Sequence, residues 1–182
     1  AFTINARSVN FTGTKVYDGN ATFSASQLVA GNTVNSDVVT LGGSATVSSK
    51  NVNTYTSFTT NSLTSSNSNY VVTGGTVSVS ITQATLTYTA DASSKTYGDA
   101  NPTFTGSVSG FVGTDNLGNA TTGSASWSTT ATQYSSVGSY PITGSGLTAN
   151  NGNYTFVQAA GNATAFTINA RSVNFTGTKV YD

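Results

Sequence analysis

Six aspartates are the only acids among the 182 residues, and they bound the chemistry the chain could perform. They stand at Asp18, Asp37, Asp91, Asp99, Asp115 and Asp182, with no Glu, His or Cys anywhere. Without imidazole or thiol, the usual nucleophile–base pairs and the nitrogen or sulfur metal sites are missing. A glycosidase needs two carboxyls flanking one bond. Asp91 with Asp99, or Asp99 with Asp115, are the pairs to consider, but Asp91 and Asp115 sit among Ser, Thr, Gly and Asn, where Asp shapes turns. No catalytic residue and no cofactor site is expected. Asp18-Gly19-Asn20 and Asp99-Ala100-Asn101 are the weak candidates for a metal, because calcium takes oxygen ligands. One carboxylate per turn is too few for a tight site. Asx-type turns that pack Tyr17 and Tyr97 are the favoured reading, so no metal is expected.

Lys15, Lys95 and Lys179 each stand two residues before a Tyr. A Lys–Asn isopeptide crosslink would suit a mechanical protein, but it normally uses a buried acid. The favoured expectation is a lysine stem along the Tyr ring with its charge in water. Asn10, Asn20, Asn119, Asn153, Asn162 and Asn174 begin Asn-x-Thr sequons, which are mostly incidental in a chain so rich in both residues. Trp127, the one Trp, is either a core plug or a sugar-stacking platform, and core is favoured.

These residues need elements to hold them, and composition says which. Thr, Ser and Asn fill 79 positions, charged residues make up 7%, and net charge is zero. Such a surface has no basic patch for phosphates, so no nucleic-acid partner is expected. No apolar run approaches a membrane span, so no membrane insertion is expected. Nine Tyr, nine Phe and many Val and Thr suit half-buried pleated surfaces. The expectation is an all-β fold.

The chain repeats itself. AFTINARSVNFTGTKVYD runs from Ala1 to Asp18 and again, unchanged, from Ala165 to Asp182, an offset of 164 residues. Such identity marks a tandem array. A weaker repeat lies inside the period. Lys15-Val16-Tyr17-Asp18-Gly19 resembles Lys95-Thr96-Tyr97-Gly98-Asp99, and Leu63 to Tyr70 resembles Leu147 to Tyr154. Tyr17, Tyr97, Tyr70 and Tyr154 are therefore expected to be buried at equivalent places in two related modules.

Alternation locates the junctions. In a strand, one face is read at every second residue. Val77, Val79 and Ile81 are apolar at odd numbers, Leu86 and Tyr88 at even numbers, so the face flips near Gln83-Ala84. A second flip falls near Ala170-Arg171, between Ile168 and Val173. A bulge would explain one flip, but recurrence favours a chain leaving one core for the next. The expected division is 1–5, the last strand of a preceding repeat; 6–83 and 84–169, two β modules; and 170–182, the start of the next repeat. Further strands are expected at Val38–Ser48, Thr54–Thr60, Tyr70–Thr73, Phe104–Phe111, Ser124–Thr130, Tyr140–Thr143 and Tyr154–Gln158. One-turn helices are expected within Ala25–Ala30 and Val112–Gly118.

The Lys-Val-Tyr-Asp-Gly-Asn stretch from Lys15 resembles the signature of the YDG domain. The second module, with Lys95-Thr96-Tyr97-Gly98-Asp99-Ala100-Asn101-Pro102, Gly110-Phe111 and Asn153-Tyr154, resembles the MBG (mostly beta-grasp) domain. The resemblance implies two tandem β-grasp-like modules in an elongated repeat array. It also implies the setting of large secreted bacterial adhesins of the filamentous-haemagglutinin type.

The expected function is a non-catalytic structural repeat of an extracellular or cell-surface stalk or matrix fibre. Its partners would be neighbouring repeats of the same polypeptide. The alternatives are an adhesive module binding a glycan or cell-surface ligand, and a filament subunit that associates laterally because few charges protect its sheet edges.

Overall fold

The computed structural model describes residues 1–181; Asp182 lies outside the described residues. Strands make up 43% of the chain and helix 8%, so the fold is all-β. The residues form two compact units. The first takes in Ala1–Leu86, Gly110–Thr122 and Thr148–Thr155; the second takes in Thr87–Ser109, Gly123–Leu147 and Phe156 onward.

The first unit is built on a four-stranded sheet ordered Leu28–Gly31, Asn10–Val16, Val77–Thr82, Asn53–Tyr55. The two central strands run parallel, with Phe11 opposite Val77 and Lys15 opposite Ile81. Register puts Phe11, Gly13, Lys15, Val79 and Ile81 on one face, the buried one. Gly13 is required there: a Cβ would stand 2.3 Å from the Gln27 carbonyl oxygen. A smaller antiparallel sheet of Thr22–Ser24, Ser44–Thr46 and Thr60–Asn61 adds buried Phe23 and Ala45.

In the second unit, Phe166–Asn169 lies between Ser93–Thr96, parallel to it, and Gly138–Tyr140, antiparallel. Lys95 stands opposite Ile168, the same register as Lys15 with Ile81. Ala131, Ile142, Phe166 and Ile168 form the core, with Phe104, Trp127 and Tyr140 packed on it.

The strands foreseen at Tyr154–Gln158 and around Ser124–Thr130 form, the latter as Thr121–Ser128. Val38–Ser48 breaks into Leu41–Gly42 and Ser44–Thr46. Helical turns fall at Ala25–Gln27 and Leu117–Ala120. The strand Thr143–Ala149 had no alternating apolar signal because its glycines serve contact. A Cβ on Gly146 would meet the Ser124 carbonyl at 2.2 Å, and one on Gly144 would meet the Trp127 ring at 2.7 Å.

The repeated 18-mer folds differently at its two positions. Phe166 and Ile168 are fully buried in a strand, whereas Phe2 and Ile4 belong to no strand and Phe2 is 91% exposed. Conversely, Val9 and Phe11 are buried in the first unit, while Val173 and Phe175 are exposed and outside any strand. The opening stretch forms a strand only at the second position, and the later stretch only at the first.

Candidate functional site

The aspartates are occupied separately. Asp18 accepts from Lys15 Nζ at 2.9 Å, Asp91 from Thr105 Oγ1 at 2.7 Å, and Asp99 pairs with Arg171. Asp37 takes the Tyr70 hydroxyl at 2.8 Å. Among the described residues, no group of three or more His, Cys, Asp or Glu side chains is placed to hold a metal ion. At the two metal candidates, Asp18 and Asp99, the carboxylates face protein cations. Asp18 also shapes an Asx turn at Gly19, accepting from Asn20 N at 2.9 Å.

The lysines depart from expectation. Lys15 and Lys95 are buried, and each ammonium stands over a Phe ring. Lys15 Nζ donates to the Asn20 and Thr22 carbonyls at 2.6 and 2.9 Å besides Asp18, and stands over the Phe23 ring. Lys95 Nζ donates to the Asp99 and Thr132 carbonyls at 3.1 and 2.9 Å and to Asn101 Oδ1 at 2.7 Å, over the Phe166 ring. A buried ammonium is tolerated when every proton is bonded. Each lysine thus ties the loop that follows its strand to the inside of the unit. The residue at 15 or 95 faces inward because strand register puts it there, which local composition does not reveal.

The tyrosines also divide. Tyr17, Tyr70 and Tyr154 are buried, whereas Tyr97 is 40% exposed. The expectation of four equivalent buried rings is therefore corrected at Tyr97. Gly98, with φ of 89°, turns the chain beside Arg171. Trp127 is half-buried, edge-on to Tyr88 at 5.7 Å, over the space left by Gly106 and Gly144. Of the sequon asparagines, Asn153 and Asn162 are buried and hydrogen-bonded, Asn162 holding the Tyr88 carbonyl at 3.0 Å.

The most structured polar cluster is one that sequence reading passed over as a turn. Within the first unit, Asp115 Oδ2 accepts hydroxyl protons from both Tyr154, at 2.7 Å, and Tyr17, at 3.0 Å. The rings meet edge to face at 5.3 Å. Tyr154 Oη also accepts from Val112 N at 3.1 Å. Asn153 beside it takes Val52 N at 2.9 Å and donates to Asn51 at 3.0 Å. The adjoining pocket, of about 70 Å³, is lined by Lys50, Asn119, Asn150 and these tyrosines. It is far below the several hundred Å³ of a small-molecule site. The signal that could have found the cluster is Val-x-x-Asp, present at Val34–Asp37 and again at Val112–Asp115.

Burial, and then the hydrogen bond and charge of Asp115, raise Tyr17 to about 12. Burial and Asp115 likewise raise Tyr154 to about 12, against a lowering by the Val112 N–H. The fold therefore holds these phenol protons more tightly than the unfolded chain, whose tyrosines titrate at about 10. Stability from this cluster is complete below pH 10 and is lost as pH rises from 10 to 12. Melting temperature should be flat from pH 7 to 9.5 and fall above 10, and Tyr154→Phe should flatten the fall. Identical alkaline profiles for the two chains would refute it.

No curated protein and no solved structure matches the chain. Residues 3–79 match the YDG domain, and residues 86–164 match the MBG domain of the YGX type. The chain therefore carries a YDG domain followed by an MBG domain of the YGX type.

Proposed function

We propose that this chain is one period of an extracellular bacterial stalk or matrix fibre, a non-catalytic repeat that provides reach. One observation carries the reading: the 18-residue repeat folds through its second half at the first position and its first half at the second. Phe2, Ile4, Val173 and Phe175 are then core residues of neighbouring repeats, and the partner of each period is the next copy in the same polypeptide. The described aspartates, each bonded to a partner within the chain, favour structure over catalysis.

A compact 80-residue module is about 30 Å across, so each period would add about 60 Å. Electron microscopy of arrays of two, four and eight periods tests this. Contour length should grow linearly by about that increment. Compact particles whose longest dimension grows sublinearly would overturn the stalk. Saturable binding on a glycan array would move the reading to an adhesive module, and side-by-side bundles would move it to a self-assembling filament.

A further inference from the structure

The Asp115 cluster has a twin. In both, a tyrosine hydroxyl accepts from a valine N–H and donates to an aspartate three residues on. Val34 N reaches Tyr70 Oη at 2.9 Å, as Val112 N reaches Tyr154 Oη at 3.1 Å. Tyr70 reaches Asp37 Oδ2 at 2.8 Å, as Tyr154 reaches Asp115 Oδ2 at 2.7 Å. Both aspartates close the same turn, Asp37 N to Val34 O at 2.9 Å and Asp115 N to Val112 O at 3.0 Å. The asparagine before each tyrosine receives the next strand: Arg7 N bonds Asn69 O, and Ala84 N bonds Asn153 O. Arg7 and Ala84 thus hold equivalent positions.

The twins differ in one respect. Asp115 has a second tyrosine, Tyr17, which is 2% exposed. Tyr17 N bonds Thr82 O, two residues before Ala84, and this delivers the ring to the cluster. Asp37 and Tyr70 instead border an open pocket of about 520 Å³, lined also by Ile4, Ala6 and Arg7.

A tyrosine is available for that pocket. Tyr97 N bonds Asn169 O, two residues before Arg171, as Tyr17 N bonds Thr82 O before Ala84. Because Ala165–Asp182 repeats Ala1–Asp18, Arg171 is the next period's Arg7. It already touches Tyr97, its Nε donating to the Tyr97 carbonyl at 2.7 Å. Tyr97 is the one of the four motif tyrosines left exposed.

We propose that in the tandem array Tyr97 of each period seats in the pocket of the following period and donates its hydroxyl to Asp37, forming with Tyr70 the clamp that Tyr17 forms at Asp115. The occupant is the adjacent copy of the same chain. Each boundary between periods would then repeat the arrangement of two tyrosines on one aspartate that the first unit holds at Asp115. This contact rests on tandem repetition alone, and an array that proved to bind glycans or to bundle would keep it.

The test is tyrosine nitration by tetranitromethane, read by peptide mass spectrometry, on a chain of two consecutive periods. Tyr97→Phe in the second period leaves the first-period Tyr97 as reporter, and Tyr17 serves as the buried control. First-period Tyr97 should react about tenfold more slowly than Tyr97 of the single-period chain, since reaction then needs local opening. Asp37→Ala in the second period, which removes the acceptor, should restore most of that reactivity; its melting curve in the single-period chain checks folding. Equal reactivity of Tyr97 in the one- and two-period chains overturns the proposal, even where array length grows linearly. Protection that survives Asp37→Ala overturns the clamp and assigns the cover to other residues of the neighbour.

Discussion

Phe166→Ala is expected to destabilise the second unit by about 3–5 kcal/mol, while Phe2→Ala in the same sequence context should change stability by less than about 0.5 kcal/mol. Phe166 has no exposed surface; its ring meets Phe104 edge-on at 5.0 Å and lies under the Lys95 ammonium. Alanine there opens a cavity beside Ile142 and Ile168 and uncovers a buried charge. Phe2 carries the same neighbours in sequence but is 91% exposed. Urea titration of the two variants measures both effects. With a complete period placed before Ala1, Phe2→Ala should become as costly as Phe166→Ala. A Phe2 variant that stays neutral in that longer chain would show that the repeats do not share strands.

Asp115→Ala is expected to lower stability by about 3 kcal/mol, because two buried phenol hydroxyls lose one acceptor together. In a chain of this size that corresponds to a fall of about 10 °C in melting temperature. Asp37→Ala removes the acceptor of one hydroxyl, Tyr70, and should cost about 1 kcal/mol in the single-period chain. Tyr17→Phe combined with Asp115→Ala should cost less than the sum of the two, since the partners share one bond. Thermal melts of the four variants decide it. Strict additivity, or an Asp115 variant as stable as the parent, would show that the cluster is bridged by solvent and contributes little.

The clamp also bears on how a nearly uncharged chain stays ordered. No disulfide is available, and among the described residues every buried side-chain nitrogen and oxygen has a hydrogen-bond partner. Lys15, Lys95, Asn153 and Asn162 are all of this kind. Each is costly if half-satisfied and selective for one arrangement when complete. Repetition of the same devices at residues 15 and 95, and at 37 and 115, is what two related modules would retain.

The 18-residue identity, the Lys-x-Tyr and Asn-Tyr motifs, the all-β class and the change of face at Gln83 were legible because they are local. Alternation and spacing are properties of a segment read alone. The strand Val77–Thr82 gives way to Ala84–Ala90 across Gln83, with Ile81 and Leu86 buried on either side, as the parity of the apolar residues required. Which copies of those motifs are buried was not local. Phe2 and Phe166 share their neighbours in sequence, yet one lacks the strands that would cover it. The inward turn of Lys15 follows from parallel register with Ile81, a partner 66 residues away. Asp115 looked like any turn aspartate because its second tyrosine, Tyr17, lies 98 residues off. Burial and shared hydrogen bonds depend on what the rest of the chain brings alongside, and only the tertiary structure decides that.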